Sequence, residues 1–209
     1  MLSSKSAARL ALVAVVAVAL VAVGCAKKVE RARGIVAPPI GKVAPKPPTG
    51  EPYKIGAVFS ITGPVAPLGV PERDTAEMLE SEINAQGGIN GRPLDIIIHD
   101  TASTEDKCVM AVNRLIQSDQ VLAIVGPSQS GETLAIIPIV EKAQVPLVSC
   151  AAAVKITEPV KKWVFKTPQT DAMAVDRIFR VLKKRGIQKI AAVVVANAFG
   201  EAGLEQMKK

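Results

Sequence analysis

A chain of 209 residues has room for one or two domains, and 49% apolar content with a mean hydropathy of +0.29 is high for a protein living wholly in water. The net charge of +7 sits at the front: from residue 52 onward there are 18 basic and 17 acidic side chains, a net of +1. So neutral a body excludes a face built for phosphate backbones, hence nucleic acid as a partner, and one histidine with three scattered cysteines excludes a clustered metal site.

The excess of apolar residues opens the chain. MLSSKSAARL carries Lys5 and Arg9 without an acid, Leu10 to Val23 is uncharged, and Ala22-Val23-Gly24 leads into Cys25. A basic start, a short apolar run and small residues before a cleavage point describe an export signal over residues 1–24. The cysteine that follows gives it the form of a bacterial lipoprotein signal, with Cys25 as the lipidated first residue. The alternative is an uncleaved anchor, but a helix over this run reaches only about 21 Å, against a hydrocarbon core of roughly 30 Å. Both readings put the rest of the chain outside the cytoplasmic membrane, and the membrane itself becomes a partner through the anchor.

Residues 25–52 contain Pro38, Pro39, Pro45, Pro47 and Pro48 among glycines and charges, the composition of an extended spacer able to hold a domain up to ~80 Å from its anchor. From Tyr53 the pattern turns regular. YKIGAVFS reads as a buried strand, and Asp74 to about Gln86 as a helix with Ala76, Leu79 and Ile83 inward, stopped by Gly87-Gly88. LDIIIHD is a second strand, and Glu105 to Ser118 a helix with a stripe of Val109, Val112, Leu115 and Ile116. VLAIVG is a third strand, Ser130 to Ala143 a helix interrupted by Pro138, VPLVS a fourth strand and WVFKT a fifth. Asp171 to Arg185 is a helix with Val175, Ile178 and Leu182 inward, Asp171 as its cap and three cations in its last turn. KIAAVVVAN reads as a strand, and Phe199 to Lys209 opens a helix.

Alternating strands and helices with near-continuous apolar strands indicate an α/β fold, a parallel sheet covered on both faces. Ligands of such sheets bind at the carboxyl ends of the strands where the strand order reverses. The loops to watch are Ser60 to Asp74, Asp100 to Glu105, Gly126 to Glu132, Ser149 to Thr157 and Asn197 to Gly200. Cys108 and Cys150 read as two buried thiols, with a disulfide as the alternative.

The loop GPSQSGET (Gly126 to Thr133) allows three chemistries. As a phosphate loop it fails at Glu132, which stands where a lysine is needed and repels phosphate by about 1 to 4 kcal/mol at 4 Å. As a hydrolase nucleophile elbow, G-x-S-x-G, it begins correctly but has Ser130 in place of the closing glycine, with only His99 as a base. As an inert anion seat it is complete: a helix N-terminus offers free N–H groups and partial positive charge, Ser130 offers a hydroxyl, and Gly131 permits close approach. Glu132 suits the dipole there and need not face the cleft. On spacing alone, Ser130 serves equally well as a plain helix cap.

Tyr53 to Lys209 resembles the opening part of the leucine/isoleucine/valine-binding protein family, extracytoplasmic receptors of ABC importers. The similarity is carried by KIGAVFSITGPVAPLG, INAQGGINGRPLDIIIHD, DKCVMAVNRLI, VLAIVGPSQSGETLA, VPLVSCAAAVKIT, FKTPQTDAMAV and VVANAFGEAG, in that order. The resemblance implies a periplasmic-binding-protein-like fold of two Rossmann-like lobes closing by a hinge. The first lobe then spans residues 53–168, and residues 169–209 only begin the second. It implies a small-molecule ligand, an amino acid or related carboxylate, an ABC permease as partner, no cofactor and no catalysis. A sensor or regulatory lipoprotein on the same fold is the alternative.

Carried over residue by residue, the resemblance places the ligand carboxylate on Ser130, with Gly131 beside it, and the ammonium on the carbonyl of Ala151 and at position 153. There Ala153 lacks the hydroxyl that the family uses. Phe199 matches the aromatic that closes over the ligand, and Leu68 stands where the family has a second aromatic. Because the family's acidic ammonium partner lies further along than residue 209, the 209-residue chain by itself is expected to bind only weakly.

Overall fold

The computed structural model describes residues 46–209. The export signal, Cys25 and most of the spacer lie outside the described residues. The elements in chain order are β1 (Tyr53–Phe59), α1 (Ala66–Ala85), β2 (Leu94–Asp100), α2 (Glu105–Arg114, continued by a π turn over Leu115–Asp119), β3 (Ile124–Val125), α3 (Ser130–Ala143), β4 (Leu147–Ser149), a 3-10 turn (Val154–Ile156), β5 (Val164–Lys166), α4 (Asp171–Lys184) and α5 (Ala198–Met207).

All five strands are parallel, in the order β2-β1-β3-β4-β5. Tyr53 pairs with Leu94, Gly56 with Ile124, Ile124 with Leu147 and Leu147 with Val164, so one register runs across the sheet. The order reverses at β1, which puts the β1–α1 and β3–α3 loops side by side at the carboxyl end, the place where such sheets bind ligands.

One face of the sheet carries the main core. Val58, Ile124, Leu147 and Val164 point toward α2 and α3, where they meet Cys108, Val112, Leu115, Ile136, Ile137 and Val140. The expected α2 stripe is realised: Val112 and Leu115 are fully enclosed, with Val109 and Ile116 packed at the margin. Each fully buried Leu or Ile in this layer contributes about 1.5 to 3 kcal/mol.

The opposite face differs from the expectation of full cover. Among the described residues α1 lies over β1 and β2, Phe165 on β5 is exposed, and a cavity of about 440 Å³ separates α1 from Ile55, Ala57, Phe59, Ile96 and Val125. Leu79, expected inward, is partly exposed along that cavity.

Three further expectations are corrected. First, α1 begins at Ala66, not Asp74, so most of the loop drawn from Ser60 to Asp74 is helix. Pro67 falls in the first turn, where a missing N–H removes nothing, and Pro71 a turn later removes a single bond.

Second, Lys189 to Asn197 forms no strand. A strand needs a ladder partner, no described strand lies beside this segment, and Val193 and Val195 remain exposed. Ile178, expected inward on α4, is exposed on the same side.

Third, Asp171 is not the cap of α4. Thr170 is, with its hydroxyl accepting the N–H of Met173, while Asp171 Oδ1 accepts the N–H of Val154 at 3.1 Å and holds the 3-10 turn.

Candidate functional site

A cavity of about 450 Å³ opens at the carboxyl ends of the strands. Its lining combines Leu68 from α1, Glu105 from α2, Ser128 to Glu132 at the start of α3, Cys150 to Ala152 after β4, and Asn197 to Phe199 at the start of α5. The sheet order brings these loops together, so the cavity follows from the topology.

The approach to α3 depends on Gly126. Its φ is +93°, and a Cβ there would collide with the Val58 carbonyl oxygen of the neighbouring strand, so only glycine turns the chain at this point. The turn is held from both sides: Gly126 N–H donates to the Val148 carbonyl at 3.0 Å, and Cys150 N–H donates to the Pro127 carbonyl at 3.2 Å.

Ser128 follows. Its hydroxyl accepts the Ser60 N–H at 3.0 Å and donates to the carboxylate of Glu72. That removes the elbow reading: the partner of Ser128 is a carboxylate on α1, and His99 lies outside the cavity lining, 4.0 Å from Asp119.

Ser130 is almost fully buried and does not cap its own helix, whose cap position is Gln129 without a side-chain bond. The Ser130 hydroxyl instead accepts the N–H of Ala153 at 3.3 Å. Ser149 works alongside, bonding the Thr133 hydroxyl at 2.8 Å and accepting the Ala151 N–H at 3.1 Å, so the loop after β4 is strapped to the first turn of α3.

Of the six candidate ligand residues, Leu68, Ser130, Gly131, Ala151 and Phe199 line the cavity. Leu68 and Phe199 are about half exposed along the cavity. Ala153 does not line it: the residue is fully enclosed behind Ala152, and its N–H is already bonded by Ser130. The Lys166 ammonium donates to the carbonyls of Ala152 and Ala153, so a protein cation already sits behind this loop.

Glu132 corrects another expectation. It lines the cavity at only 1% exposure, and its carboxylate accepts bonds from Thr101 Oγ1 at 2.7 Å, Ser60 Oγ at 3.1 Å and Gln129 Nε2 at 3.1 Å. Burial is the dominant influence and pushes its pKa above the ordinary carboxylate range, although those three bonds oppose it. Glu72 is raised as well, first by burial and further by the charge of Glu132, against the bond from Ser128.

Glu105 reaches the same mouth. A Cβ at Gly131 would collide with Glu105 Oε1, so the close approach that glycine permits is used here by a carboxylate of the protein. Asp100, at the end of β2, organises the rim by accepting the N–H groups of Ile61 at 3.0 Å, Thr62 at 3.1 Å and Ala102 at 2.8 Å. Desolvation disfavours its charge, but these bonds and the Thr62 hydroxyl outweigh it and hold the carboxyl below its ordinary range.

Sequence reasoning missed Glu72, Glu105, Glu132 and Asp100 as parts of the site. All four fall within loops already singled out, but none carried a pattern that marked its side chain as part of the cavity or its rim. Among the described residues no group of three His, Cys, Asp or Glu stands ready for a metal ion. Cys108 and Cys150 are free thiols, the first buried and the second partly so. The arrangement provides a volume for a small molecule and polar groups to recognise it.

Comparison with known proteins places this geometry. The periplasmic binding protein family matches residues 52–209. The leucine-, isoleucine-, valine-, threonine- and alanine-binding protein of Pseudomonas aeruginosa is 31% identical over 158 residues, covering 75% of this chain and 42% of that protein. Among solved structures, the substrate-binding protein LivJ of Streptococcus pneumoniae, in complex with isoleucine, superposes with a TM-score of 0.70 at 26% identity, over 76% of this chain and 46% of that one. A solute-binding protein of Rhodopseudomonas palustris BisB5, in complex with 3,4-dihydroxybenzoic acid, gives 0.68 at 25% identity, over 75% and 42%. The chain thus spans less than half the length of these relatives. With the match extending from residue 52 to residue 209 and the parallel sheet in agreement, the chain belongs to the periplasmic binding protein family.

Proposed function

We propose that this chain forms the ligand-binding part of an extracytoplasmic solute receptor serving an ABC importer, and that its ligand is a small carboxylate, a branched-chain amino acid or a related acid. The observation that carries this reading is the cavity of about 450 Å³ at the strand-order reversal, with the start of α3 at Ser130 and Gly131 on one wall and Phe199 on another. Free N–H groups at a helix start and a partial positive charge suit a carboxylate. The ligands of the two solved relatives, isoleucine and 3,4-dihydroxybenzoic acid, share only that group. The enclosed, hydroxyl-free Ala153 supports an acid with little demand for an ammonium contact at that position.

In the same reading residues 1–24 are the export signal, Cys25 carries lipid and residues 25–52 tether the domain to the membrane. Residues 53–168 form the first lobe and residues 169–209 open the second. Phe199 closes over the ligand, Leu68 forms the floor, and the carbonyl of Ala151 receives any ammonium.

A thermal-shift screen of the protein expressed from its complete reading frame, against amino acids and aromatic acids, tests the proposal. A stabilising acid, lost in Ser130→Ala, supports it. Indifference to every acid in the panel contradicts it.

A further inference from the structure

Two carboxyl groups stand behind the cavity with no cation to balance them. Glu132 lines it directly and Glu72 lies one serine away. Ser128 and Ser60 link them: the Glu72 carboxylate accepts from the Ser128 hydroxyl, Ser128 Oγ accepts from the Ser60 N–H, and the hydroxyl of the same Ser60 donates to Glu132. Neither acid forms an ion pair among the described residues.

The surroundings add negative charge. From α2 comes Glu105, at the mouth, while the thiols of Cys108 on α2 and of Cys150 beside Glu72, both pushed up by burial, stay neutral. Lys166 on β5 directs its ammonium to the carbonyls of Ala152 and Ala153, and Arg73, next to Glu72 in the chain, pairs with Asp74. A buried carboxyl and a half-buried one, linked through Ser128 and Ser60 in such a setting, do not both ionise freely and titrate as a unit.

We propose that Glu72 and Glu132 act as one proton-holding pair, and that seating a ligand carboxylate at the start of α3 draws a proton from solvent onto that pair. This rests on the carboxylate reading of the site. The balance is simple: the ligand arrives as an anion beside Glu132, the added repulsion makes a second negative charge unfavourable, and one solvent proton binds a carboxylate oxygen of the pair. Binding therefore tightens as pH falls, by up to about tenfold in affinity per pH unit while the pair is ionised in the free protein. A ligand without a carboxylate takes up no proton.

Two measurements decide it on the protein from its complete reading frame. The first needs no ligand: carbon NMR of labelled glutamate carboxyls during a pH titration. The expected result is a Glu72 signal that keeps its proton above the ordinary carboxylate range and moves down in Glu132→Gln. Both carboxyls titrating in the ordinary range, or a Glu72 titration unmoved by E132Q, overturns the pair.

The second is calorimetry with isoleucine and with 3,4-dihydroxybenzoate in two buffers of different ionisation enthalpy. Proton uptake in the wild type that disappears in Glu72→Gln and in E132Q supports the coupling, and binding without uptake overturns it. If neither probe binds, the carboxylate reading falls and the coupling with it, while the NMR result still decides whether the pair shares a proton.

Discussion

The Ser130 hydroxyl accepts the N–H of Ala153 at 3.3 Å, so the residue that opens α3 is bonded across the cavity wall to the loop after β4. The bond fixes the first turn of the helix relative to Ala151 and Ala152, which line the same cavity. Ser130→Ala leaves a buried N–H without its acceptor and should lower stability by about 1 to 2 kcal/mol. Ser130→Thr should recover part of the loss, since it keeps the oxygen. Chemical denaturation of the two variants checks the order.

Gly126 supports a sharper expectation. Its positive φ and the Val58 carbonyl behind it leave no room for a side chain. Gly126→Ala should destabilise by at least about 2 kcal/mol, combining backbone strain with displacement of β1. Gly91 also has a positive φ but open space around it, so Gly91→Ala should cost only about 1 kcal/mol. A thermal midpoint for Gly91→Ala as low as that for Gly126→Ala would contradict the assignment.

The rim depends on Asp100. Its folded pKa is depressed, so its contribution to stability is present above the unfolded value and is lost as pH falls through the folded one. Asp100→Ala should remove about 1 kcal/mol at neutral pH, discounted for its exposed position, and should flatten the acid limb of the stability curve. Midpoints measured from neutral to acid pH give the comparison.

Glu72 and Glu132 have the opposite sign. Their folded pKa values are raised, so the stability that they contribute is complete below the ordinary carboxylate range and is lost as pH rises through the raised values. Glu132→Gln keeps the shape of the side chain without the buried charge and should weaken the fall in thermal midpoint between acid and neutral pH. An unchanged pH profile in that variant would show Glu132 to be charged at no expense in the fold.

The two thiols provide a separate check. Burial pushes Cys150 up to about 11, with Glu72 adding to it, and pushes Cys108 higher still. Alkylation of the native protein at neutral pH should be slow at both, with Cys150 reacting before the enclosed Cys108.

Much of this was legible in the residues. Period and turn chemistry located all five strands of the sheet and the start of α3, because each of the first four is a short apolar run ended by Gly, Asp or Ser and the fifth, WVFKT, is closed by Pro168. The first turns of α1 were not legible, since the apolar spacing that marked the helix begins only after Asp74 while two prolines, Pro67 and Pro71, stand in the turns before it. Lys189 to Asn197 reads as a strand by composition, yet a strand is a property of its neighbour as much as of itself, and none is paired here. Glu132 was the deepest miss. A charged residue in a first helical turn normally faces water, and its burial depends on Ser60 and Thr101, which follow β1 and β2 directly and lie 72 and 31 positions away. No local pattern encodes that meeting.

The most direct test is a crystal structure of the protein from its complete reading frame with a bound acid from the screen. The expected result places the ligand carboxylate against Ser130 and the N–H of Gly131, with the Glu105 carboxylate moved away from that glycine. A ligand bound elsewhere, with Glu105 still seated against Gly131, would contradict the carboxylate site at the start of α3.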